Sequence, residues 1–543
     1  MNKTHPYLPW LLVLIFCIWF THPLWSHPHL FFAVHPTGDN IRSMHFYDFI
    51  GHELWNNEPI TTFHQFDVPD SPSVREYFPA ILEAYIMAPL VWLFPWPQHW
   101  PIILCASLLI NAYGAMLLVR SLGGGKINMT LVGCAVITLR PIWADIANGR
   151  INSITPGYAL FAFACSLLLL KHTLDGKKIS SFKRSLSFVG AVVFGYCAAL
   201  VYPPYILLLL PFGFIILLFY IRRKPIGNLT ILLVAVLFTL ILSSSELEAI
   251  KGINDTNFNC QNVGCGSERH IVRLQNLFLT APLSLVQGGI SILPWIGGLL
   301  VLVSRKRLLY VSLLAIIIVY SLLSGGPCPT WMNQSVQEQL QFLQPIWCQS
   351  SGIHDFRRYS TIVAVMLVVL SGAGLQRLLV GNYTQIPTLI LCTLGLGWAA
   401  QQRQQEILDR SLWHALPQEQ ILSEFVSEND LIVELPYDLH YQFVSALIEK
   451  DIRRLNPYEN QIDKRDPFSR WIHEIGYGRL PKDIPSREVI YGAGIDWIFF
   501  DRTRCEYAIA PKAGCQQKIV TLLTRTLGEP SEMRGLLIWK LKR

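Results

Sequence analysis

Acidic and histidine side chains are concentrated just after the first apolar segment of the chain. Asp39 follows that segment by about fourteen residues, and a polar, aromatic run at 41–55 comes next. In that run His45, Asp48 and His52 are spaced i, i+3 and i+7, which places them on one face of a helix. A carboxylate here could act as a general base, or could bind a metal ion or a phosphate, and Asp48 is a candidate to bind substrate. For the His/Asp face the alternative is an amphipathic surface helix whose polar side meets water, and both explanations stay open.

A second polar group lies at 140–155, in a short segment between two apolar stretches. It contains Arg140, Asp145, Asn148 and Arg150. The guanidinium group of arginine is a rigid fork of donors that suits phosphate oxygens, and the phosphate of a membrane lipid would arrive at this depth. We therefore expect Asp145, Asn148 and Arg150 to bind substrate. The competing explanation is that Arg140 extends to the membrane surface and that the rest is ordinary loop polarity.

These polar groups are separated by apolar segments long enough to cross a membrane. The sequence is 52% hydrophobic and 15% charged, whereas a soluble domain averages about 25% charged residues. A membrane span needs about 20 apolar residues, with a range of roughly 17–25. We predict about eleven spans, at 8–25, 100–119, 127–143, 155–170, 186–202, 204–220, 228–245, 285–303, 309–324, 360–376 and 386–401.

The distribution of Lys and Arg between the loops predicts the orientation. With the N-terminus in the cytoplasm, the inner loops hold fifteen Lys/Arg and one acid, and the outer loops hold nine Lys/Arg and fifteen Asp/Glu. A Lys/Arg excess in short loops marks the cytoplasmic side. The long loop 26–99 and the C-terminal region then lie outside. The net charge of +7 does not indicate nucleic-acid binding, because much of the positive excess lies in the inner loops. Counting 79–96 as a span would invert this pattern, so we predict a re-entrant or interfacial helix there.

Two further arginines, Arg357 and Arg358, precede the span 360–376 on the predicted outer side. Their position opposes the positive-inside trend, so an anionic group should hold them there. Contact with a phosphate is one explanation, and pairing with an acid such as Asp355 or Asp39 is the other.

The twelve cysteines divide evenly between apolar segments and predicted outer regions. An even number of cysteines in an oxidising compartment suggests disulfides, with free thiols as the alternative. The candidate pairs are Cys260/Cys265, Cys328/Cys348 and Cys505/Cys515.

The C-terminal region differs in kind from the rest, because it has no apolar run long enough to span. Short strands at 431–436, 497–501 and 536–541 and helices at 418–426 and 518–527 predict a small extracytoplasmic α/β domain over 402–543, after a transmembrane domain over 1–401. The sequence contains no P-loop, no Gly-x-Gly-x-x-Gly after a strand, no Gly-x-Ser-x-Gly and no His-Glu-x-x-His. A soluble-type enzyme attached to a membrane is therefore disfavoured.

The order of several short motifs supports a more specific expectation. They are Gly38-Asp39, Asn148–Asn152, Phe356–Tyr359, Gly372–Arg377 and, in the tail, Leu431–Pro436, Gly494–Phe500 and Leu527–Pro530. In this arrangement the chain resembles the GT-C superfamily of polytopic membrane glycosyltransferases, and especially its bacterial branch with a C-terminal extracytoplasmic domain. The resemblance implies a GT-C-like transmembrane domain in a bacterial inner membrane, with the C-terminal domain in the periplasm.

The resemblance also implies an inverting transfer from a polyprenyl-phosphate-linked sugar to a glycan, lipid or protein acceptor. Asp39 occupies the position of the acid that acts as general base in that superfamily. By chemistry alone, Arg150 and Arg357 or Arg358 would stabilise the charge that develops on the lipid phosphate. Asp48 and Asp145 are isolated and no Asp-x-Asp pair is present, so a divalent metal is the one cofactor left open.

Two other functions remain as alternatives. One is a non-catalytic GT-C-like protein that binds a lipid-linked glycan. The other is a transporter or flippase, which the absence of a repeat between the halves and the scarcity of charge in the spans disfavour. Substituting Asp39 should abolish turnover in a transferase and should hardly affect a binding protein.

Overall fold

The structure of the chain divides into two units. It is a computed structural model that describes residues 6–26, 40–56, 66–68, 81–94, 98–147, 155–174, 181–201, 229–242, 310–311, 313–315, 317–318, 358–380, 384–408, 422, 425–427, 430–435, 453–455, 467–476, 485–502, 515–533 and 535–541. The first, here called the helical unit, comprises Met1–Phe31, Pro79–Glu83 and Trp96–Ser411. The second, the sheet unit, comprises Phe32–Phe78, Ala84–Pro95 and Leu412–Arg543.

The elements follow one another in a mainly helical first part and a mixed second part. In chain order they are α1 (Leu8–Ser26), α2 (Asn40–Asn56), β1 (Phe66–Val68), α3 (Ile81–Leu93), α4 (His99–Leu122), α5 (Lys126–Ile137), α6 (Arg140–Ala147), α7 (Gly157–Leu174), α8 (Ser181–Val201), α9 (Leu229–Leu242), α10 (Arg358–Val380), α11 (Gln385–Leu408), β2 (Leu431–Leu435), β3 (Arg453–Leu455), α12 (Pro467–Gly476), α13 (Arg487–Gly492), β4 (Trp497–Asp501), α14 (Cys515–Leu527), β5 (Ser531–Met533) and β6 (Leu536–Lys540).

Three of the described helices, α1, α4 and α8, are long and apolar enough to cross a membrane, and shorter apolar helices occur at 82–93, 157–169 and 361–376. Exposed apolar side chains on the helices suit contact with lipid. On α1, and on α11, which is not among these three helices, they include Leu11, Ile15, Trp19, Ile390, Leu394 and Trp398. The predicted spans 204–220 and 285–303 lie outside the described residues, so the number of about eleven spans stays a prediction.

The predicted span 127–143 is not one continuous helix, because two helices occupy that stretch. α5 ends at Ile137, and α6 begins at Arg140. Pro141 has no backbone N–H, so the carbonyl group four residues earlier, that of Ile137, loses its helical donor. The indole N–H of Trp143 donates to that carbonyl oxygen instead, over 2.7 Å, which fixes a short second helix at the end of α5.

α4 is central to the helical unit and packs against α1, α5, α7 and α10. It ends at Leu122, and the residue that caps it, Gly123, has a φ of 104°, a left-handed conformation that glycine adopts readily. The turn that follows is tied to α10, because the Gly125 N–H donates to Gln376 Oε1 over 2.6 Å and Asn128 Nδ2 donates to the Gly372 carbonyl oxygen. Two polar bonds thus hold α5 and α10 together at one end of the unit.

The sheet unit is built on six strands in the order β1-β3-β2-β4-β6-β5. β1, β3, β2 and β4 are parallel, and β6 is antiparallel to both β4 and β5. The predicted strands at 431–436, 497–501 and 536–541 coincide with β2, β4 and β6. β1 comes from the loop 26–99 and pairs with β3, with Phe66 opposite Arg454, so the sheet is not built from residues 402–543 alone.

One face of the sheet carries the main apolar core of the unit. Its buried side chains come from the strands and from α12, α13 and α14, and they include Leu431, Val433, Phe468, Ile472, Ile490, Ile498, Phe500 and Leu523. A smaller cluster on the other face includes Ile432, Phe499 and Ile538. The alternation of faces along each strand follows from the two-residue period of a β-strand.

α2 and the later part of α3 pack closely within the sheet unit. A Cβ added at Gly51 would lie 2.8 Å from a methyl carbon of Val91. The indole N–H of Trp92 donates to the Gly51 carbonyl oxygen over 2.6 Å, and the rings of Trp55 and Trp92 are 5.3 Å apart. The predicted helix at 41–55 is present as α2. The stretch 79–96 contains α3, a helix of 13 residues.

Candidate functional site

The structure describes only part of the predicted site. Four of its residues lie outside the described residues: Asp39, Asn148, Arg150 and Arg357. Asp39 directly precedes the first residue of α2 in the sequence. Asp145 lies in α6 and Arg358 begins α10, but their side chains also fall outside the description. The convergence of these groups on one substrate stays a prediction.

Two of the predicted positions lie on neighbouring helices of the helical unit. α6 packs against α10, so the backbone places Asp145 and Arg358 on adjoining elements. α6 is held by its apolar side chains, since Trp143 is buried and its ring meets that of Phe20 at a centroid distance of 5.3 Å and an angle of 77°.

Asp48 is buried within α2, with 3% of its surface exposed. Its Oδ2 lies 3.7 Å from Nε2 of His52, one helical turn later. The pair becomes an ion pair only when the imidazole is protonated. Asp48 and His52 thus share a face as predicted, and the side chain of His45 lies outside the described residues.

The helical unit contains a buried carboxylate that was not predicted as a site residue from the sequence. Glu83, in the first turn of α3, is fully buried. Its Oε1 accepts hydrogen bonds from Ser107 Oγ at 2.9 Å and from Thr155 Oγ1 at 2.7 Å. We call these three residues the Glu83 cluster. The available signal was an acid inside an apolar stretch, since ionisable groups at membrane depth are candidates for function.

Next to the Glu83 cluster, α4 and α7 approach each other at two glycines. A Cβ at Gly114 would lie 2.6 Å from the Gly157 carbonyl oxygen. The Gly157 N–H, one of the free donors at the start of α7, donates to Asn111 Oδ1 over 2.8 Å. Small residues allow helices in membranes to pack backbone to backbone, so the start of α7 is fixed against the middle of α4.

A second charge missed by the sequence analysis is Arg403, near the end of α11, with 3% of its surface exposed. A guanidinium group stays charged at any physiological pH, so its burial requires hydrogen-bond or anionic partners. The neighbouring residue Gln404 contacts the backbone of α1 at Phe20. Arg403 lies two residues after the last predicted span, 386–401, and hydropathy alone therefore gave it no weight.

Among the described residues, no group of three or more His, Cys, Asp or Glu side chains is placed to hold a metal ion. The cysteines that are described are free thiols: Cys17, Cys105, Cys134, Cys165, Cys197 and Cys392. The structure gives no support for disulfides, since the candidates Cys260, Cys265, Cys328, Cys348 and Cys505 and the side chain of Cys515 lie outside the described residues. Their pairing stays a prediction.

The chain is similar to several solved structures, but its sequence has no match among protein families or curated proteins. The sequence matches no protein-family model and no curated protein. ArnT from Cupriavidus metallidurans in the apo state has 12% identity and a TM-score of 0.53, with 97% of both chains covered. ArnT bound to undecaprenyl phosphate matches equally well, over 97% of this chain and 98% of ArnT.

Two more solved structures share the fold. The apo oligosaccharyltransferase from Archaeoglobus fulgidus has 12% identity and a TM-score of 0.54, with 93% of this chain and 71% of that chain covered. The arabinofuranosyltransferase AftD from Mycobacteria has 10% identity and a TM-score of 0.61, with 100% of this chain and 40% of AftD covered. These likenesses confirm the fold that the sequence motifs suggested: the chain has the fold of the GT-C glycosyltransferases.

Proposed function

We propose that the protein is a membrane glycosyltransferase. It moves a sugar from a polyprenyl-phosphate donor to a glycan, lipid or protein acceptor on the non-cytoplasmic face of a bacterial inner membrane. The observation that carries the proposal is the fold shared with ArnT over nearly the whole of both chains, because ArnT has been solved bound to undecaprenyl phosphate. The apolar helices of the helical unit fit such a donor, whose hydrocarbon chain stays in the bilayer.

The proposed reaction is a single displacement with inversion. The acceptor hydroxyl oxygen forms a bond to the anomeric carbon, the bond from that carbon to the phosphate oxygen breaks, and the phosphate oxygen keeps the electron pair. Asp39 takes the proton of the acceptor hydroxyl as general base. Its place in the chain supports this role, because it directly precedes α2 at the start of the long loop 26–99.

Arginines would stabilise the negative charge that grows on the departing phosphate. Arg358, at the start of α10, and Arg150, in the segment between α6 and α7, are the candidates, with Arg357 next to Arg358. Asp145 and Asn148 would bind sugar or phosphate from the same segment. In this arrangement the N-terminus is cytoplasmic and the sheet unit is periplasmic.

Transfer of labelled sugar tests the proposal. Membranes holding the wild type or Asp39→Asn at equal expression receive a panel of polyprenyl-phosphate sugars, and label transferred to acceptor is measured. General-base catalysis contributes about 10²–10⁴-fold, so Asp39→Asn should lower turnover by about a hundredfold or more with its melting temperature unchanged. Glu488→Gln, which removes an exposed carboxylate in α13, is the matched control and should transfer as well as the wild type.

Other outcomes separate the alternatives. Transfer that survives Asp39→Asn would keep the enzyme class and remove Asp39 as the base. Saturable binding of polyprenyl phosphate without transfer in membranes that contain the native acceptors would favour the non-catalytic binding protein.

A further inference from the structure

Three helices of the helical unit, α5, α10 and α11, enclose an apolar groove. α5 packs against α10, and α11 packs against both. The space inside the groove, counted out to its open side, is about 450 Å³, and pockets for small organic ligands measure about 300–1,000 Å³. The groove is lined by four residues of α5, from Asn128 to Ala135, by five residues of α10, from Val368 to Leu379, and by Cys392 and Leu396 of α11.

The polar side chains of the groove wall are engaged within the protein. Asn128 Nδ2 donates to the Gly372 carbonyl oxygen, and the Ser371 hydroxyl donates to the Leu367 carbonyl oxygen over 2.7 Å. Most of the other lining residues are leucine, valine and alanine. The wall therefore presents mainly methyl and methylene groups, and it suits a hydrocarbon ligand better than a sugar or a nucleotide.

The length and depth of the groove match one leaflet of a bilayer. As a membrane span, α4 brings the turn that follows it, 123–125, to a membrane surface. The Gly125 N–H donates to Gln376 Oε1 over 2.6 Å, which places this part of α10 at the same level. The groove extends along α10 from Val368 to Leu379, which is about 16 Å at 1.5 Å per residue. The hydrocarbon core of a bilayer is about 30 Å thick, so the groove reaches from that surface to about the bilayer centre.

The surface end of the groove carries positive charge. Lys126, the first residue of α5, is exposed and lies two residues before Asn128. α5 and α10 contain no Asp or Glu, and the one acid of α11, Glu406, lies ten residues beyond Leu396. Basic residues at a membrane surface attract anionic lipid headgroups. A ligand with a hydrocarbon chain and an anionic headgroup therefore complements the groove at both ends.

The surroundings of α11 supply such a ligand. Ile390, Leu391 and Leu394, which flank Cys392 and Leu396 on this helix, are exposed apolar side chains. In a membrane they contact lipid, since ionised or hydrogen-bonding groups would be needed to hold water there. A lipid chain can therefore enter the groove from the bilayer without passing a polar surface.

We propose that this groove binds one acyl chain of an anionic phospholipid, with the phosphate of the headgroup near Lys126. The bound chain fills the space between α11 and the pair formed by α5 and α10, and so stabilises the attachment of α11. The site is separate from the proposed donor site, because Arg358 lies fourteen residues before Gly372 on α10, about 21 Å along the helix. The proposal does not depend on sugar transfer.

A photoreactive phosphatidylglycerol, with a diazirine in the middle of one acyl chain, tests the site in the purified full chain. After irradiation, peptide mass spectrometry should find the label in 128–135, 368–379 and 392–396. Unlabelled phosphatidylglycerol should compete for this labelling, and it should raise the melting temperature of the wild type. Labelling spread evenly over the apolar helices would overturn the proposal, because it would show only general contact with lipid.

Variants that fill the groove test whether the chain lies inside it. Excluding two CH₂ groups from an apolar site already weakens binding by about tenfold, so Leu396→Trp should lower labelling of the groove peptides by at least that factor. Leu394→Trp adds the same ring on the exposed face of the same helix, and it is the matched control that should label like the wild type. Ala135→Phe fills the groove from α5 and should reproduce the loss, which keeps the test valid if Leu396→Trp does not fold. Equal labelling in Leu396→Trp and Leu394→Trp would overturn the site.

The headgroup is tested by lipid titration followed by native mass spectrometry. Lys126→Gln should weaken binding of phosphatidylglycerol about fivefold and leave binding of phosphatidylcholine unchanged. Arg184→Gln is the matched control, since it removes an exposed charge in the first turn of α8, and it should change neither. Equal affinity of the wild type for the two phospholipids would overturn the selection of an anionic headgroup. Polyprenyl phosphate that displaces phosphatidylglycerol from the groove at equal concentration would overturn the proposed occupant, since the groove would then hold the chain of the glycosyl donor.

Discussion

Gln404 of α11 donates a hydrogen bond from its side-chain Nε2 to the carbonyl oxygen of Phe20 in α1, over 3.1 Å. The same Nε2 lies 3.4 Å from the carbonyl oxygen of Trp19. Pro23 lies inside α1 and has no N–H, so the Trp19 carbonyl, four residues earlier, lacks its usual helical donor. α11 therefore supplies from outside the donor that the proline removes.

The junction of α5 and α6 shows the same chemistry within one segment. There Pro141 leaves the Ile137 carbonyl without a helical donor, and the indole N–H of Trp143 donates a hydrogen bond to that carbonyl oxygen instead. Backbone groups inside a membrane must be satisfied within the protein. Both prolines are therefore compatible with a membrane domain because a side chain replaces the missing donor.

Gln404→Leu should destabilise the helical unit. It leaves the Trp19 carbonyl oxygen of α1 without a donor, and the free energy of unfolding should fall by about 1–2 kcal/mol. Unfolding of the purified chain in detergent by heat or by SDS measures the change. Gln401→Leu, at an exposed position of the same helix, should have no effect. Pro23→Ala restores the backbone N–H, so the loss caused by Gln404→Leu should shrink in that background, and an equal loss there would contradict this explanation.

A buried ion pair holds β2 and β3 together in the sheet unit. Arg454 Nε lies 3.2 Å from Glu434 Oε2, and both side chains are almost completely buried. Glu434→Leu should lower the free energy of unfolding by about 3–5 kcal/mol, because it leaves a buried guanidinium without its carboxylate. Urea unfolding followed by tryptophan fluorescence, with proteolysis of the region after 412 as a second probe, measures the loss.

Two variants test that explanation. Glu434→Leu with Arg454→Met removes both charges and should recover most of the stability. Glu532→Leu breaks a pair of similar length, 3.4 Å, between Glu532 and Arg502, which is exposed to solvent, and it should change stability little because exposed pairs contribute little. Equal losses in Glu434→Leu and Glu532→Leu would show that burial is not the cause.

Two helix glycines should respond in opposite ways to alanine. A Cβ at Gly114 would meet the Gly157 carbonyl oxygen at 2.6 Å and Leu160 Cβ at 3.0 Å, so Gly114→Ala should push α4 and α7 apart and cost about 1–3 kcal/mol. Gly397, in α11, has no atom within 4 Å of the added carbon, and Gly397→Ala should be neutral or stabilise by up to about 1 kcal/mol. Thermal unfolding in detergent compares them, and equal effects would contradict the close approach of α4 and α7.

The sequence predicted the helices and strands that can be recognised from their own residues alone. The run 41–55 became α2, and Leu431–Leu435, Trp497–Asp501 and Leu536–Lys540 became strands, since each is a compact apolar or amphipathic stretch. The break between α5 and α6 was missed because hydropathy averages over Pro141. Its signal, a proline followed by a tryptophan able to donate, is only evident once the carbonyl of Ile137 is considered.

Contacts between distant segments could not be read from one sequence. β1 has three residues and no pattern of its own, and its place beside β3 depends on long-range pairing. The Glu83 cluster likewise joins three segments whose serine and threonine look ordinary in isolation. The motifs that suggested the GT-C fold could place Asp39 and Arg150 in loops, but they carry no distances.

Arg358 gives the sharpest test of the proposed donor site among residues whose backbone is described. It is the first residue of α10, a helix that packs against α6. A guanidinium that contacts phosphate contributes about 1.5–3 kcal/mol through charged hydrogen bonds. Arg358→Gln should therefore raise the KM for the polyprenyl-phosphate sugar about tenfold or more, and should weaken inhibition by free polyprenyl phosphate in parallel. Arg358→Lys should recover only part, because lysine lacks the planar fork.

Arg120→Gln is the matched control for Arg358→Gln, since Arg120 lies in the last turn of α4, on the predicted cytoplasmic side, and is exposed. It should leave both the KM and the inhibition constant unchanged. If Arg358 instead pairs with an acid such as Asp355, its substitution should lower stability or kcat while inhibition by polyprenyl phosphate stays the same. The inhibition constant therefore separates phosphate binding from ion pairing, because only a residue that contacts the phosphate changes the affinity for a ligand that carries no sugar.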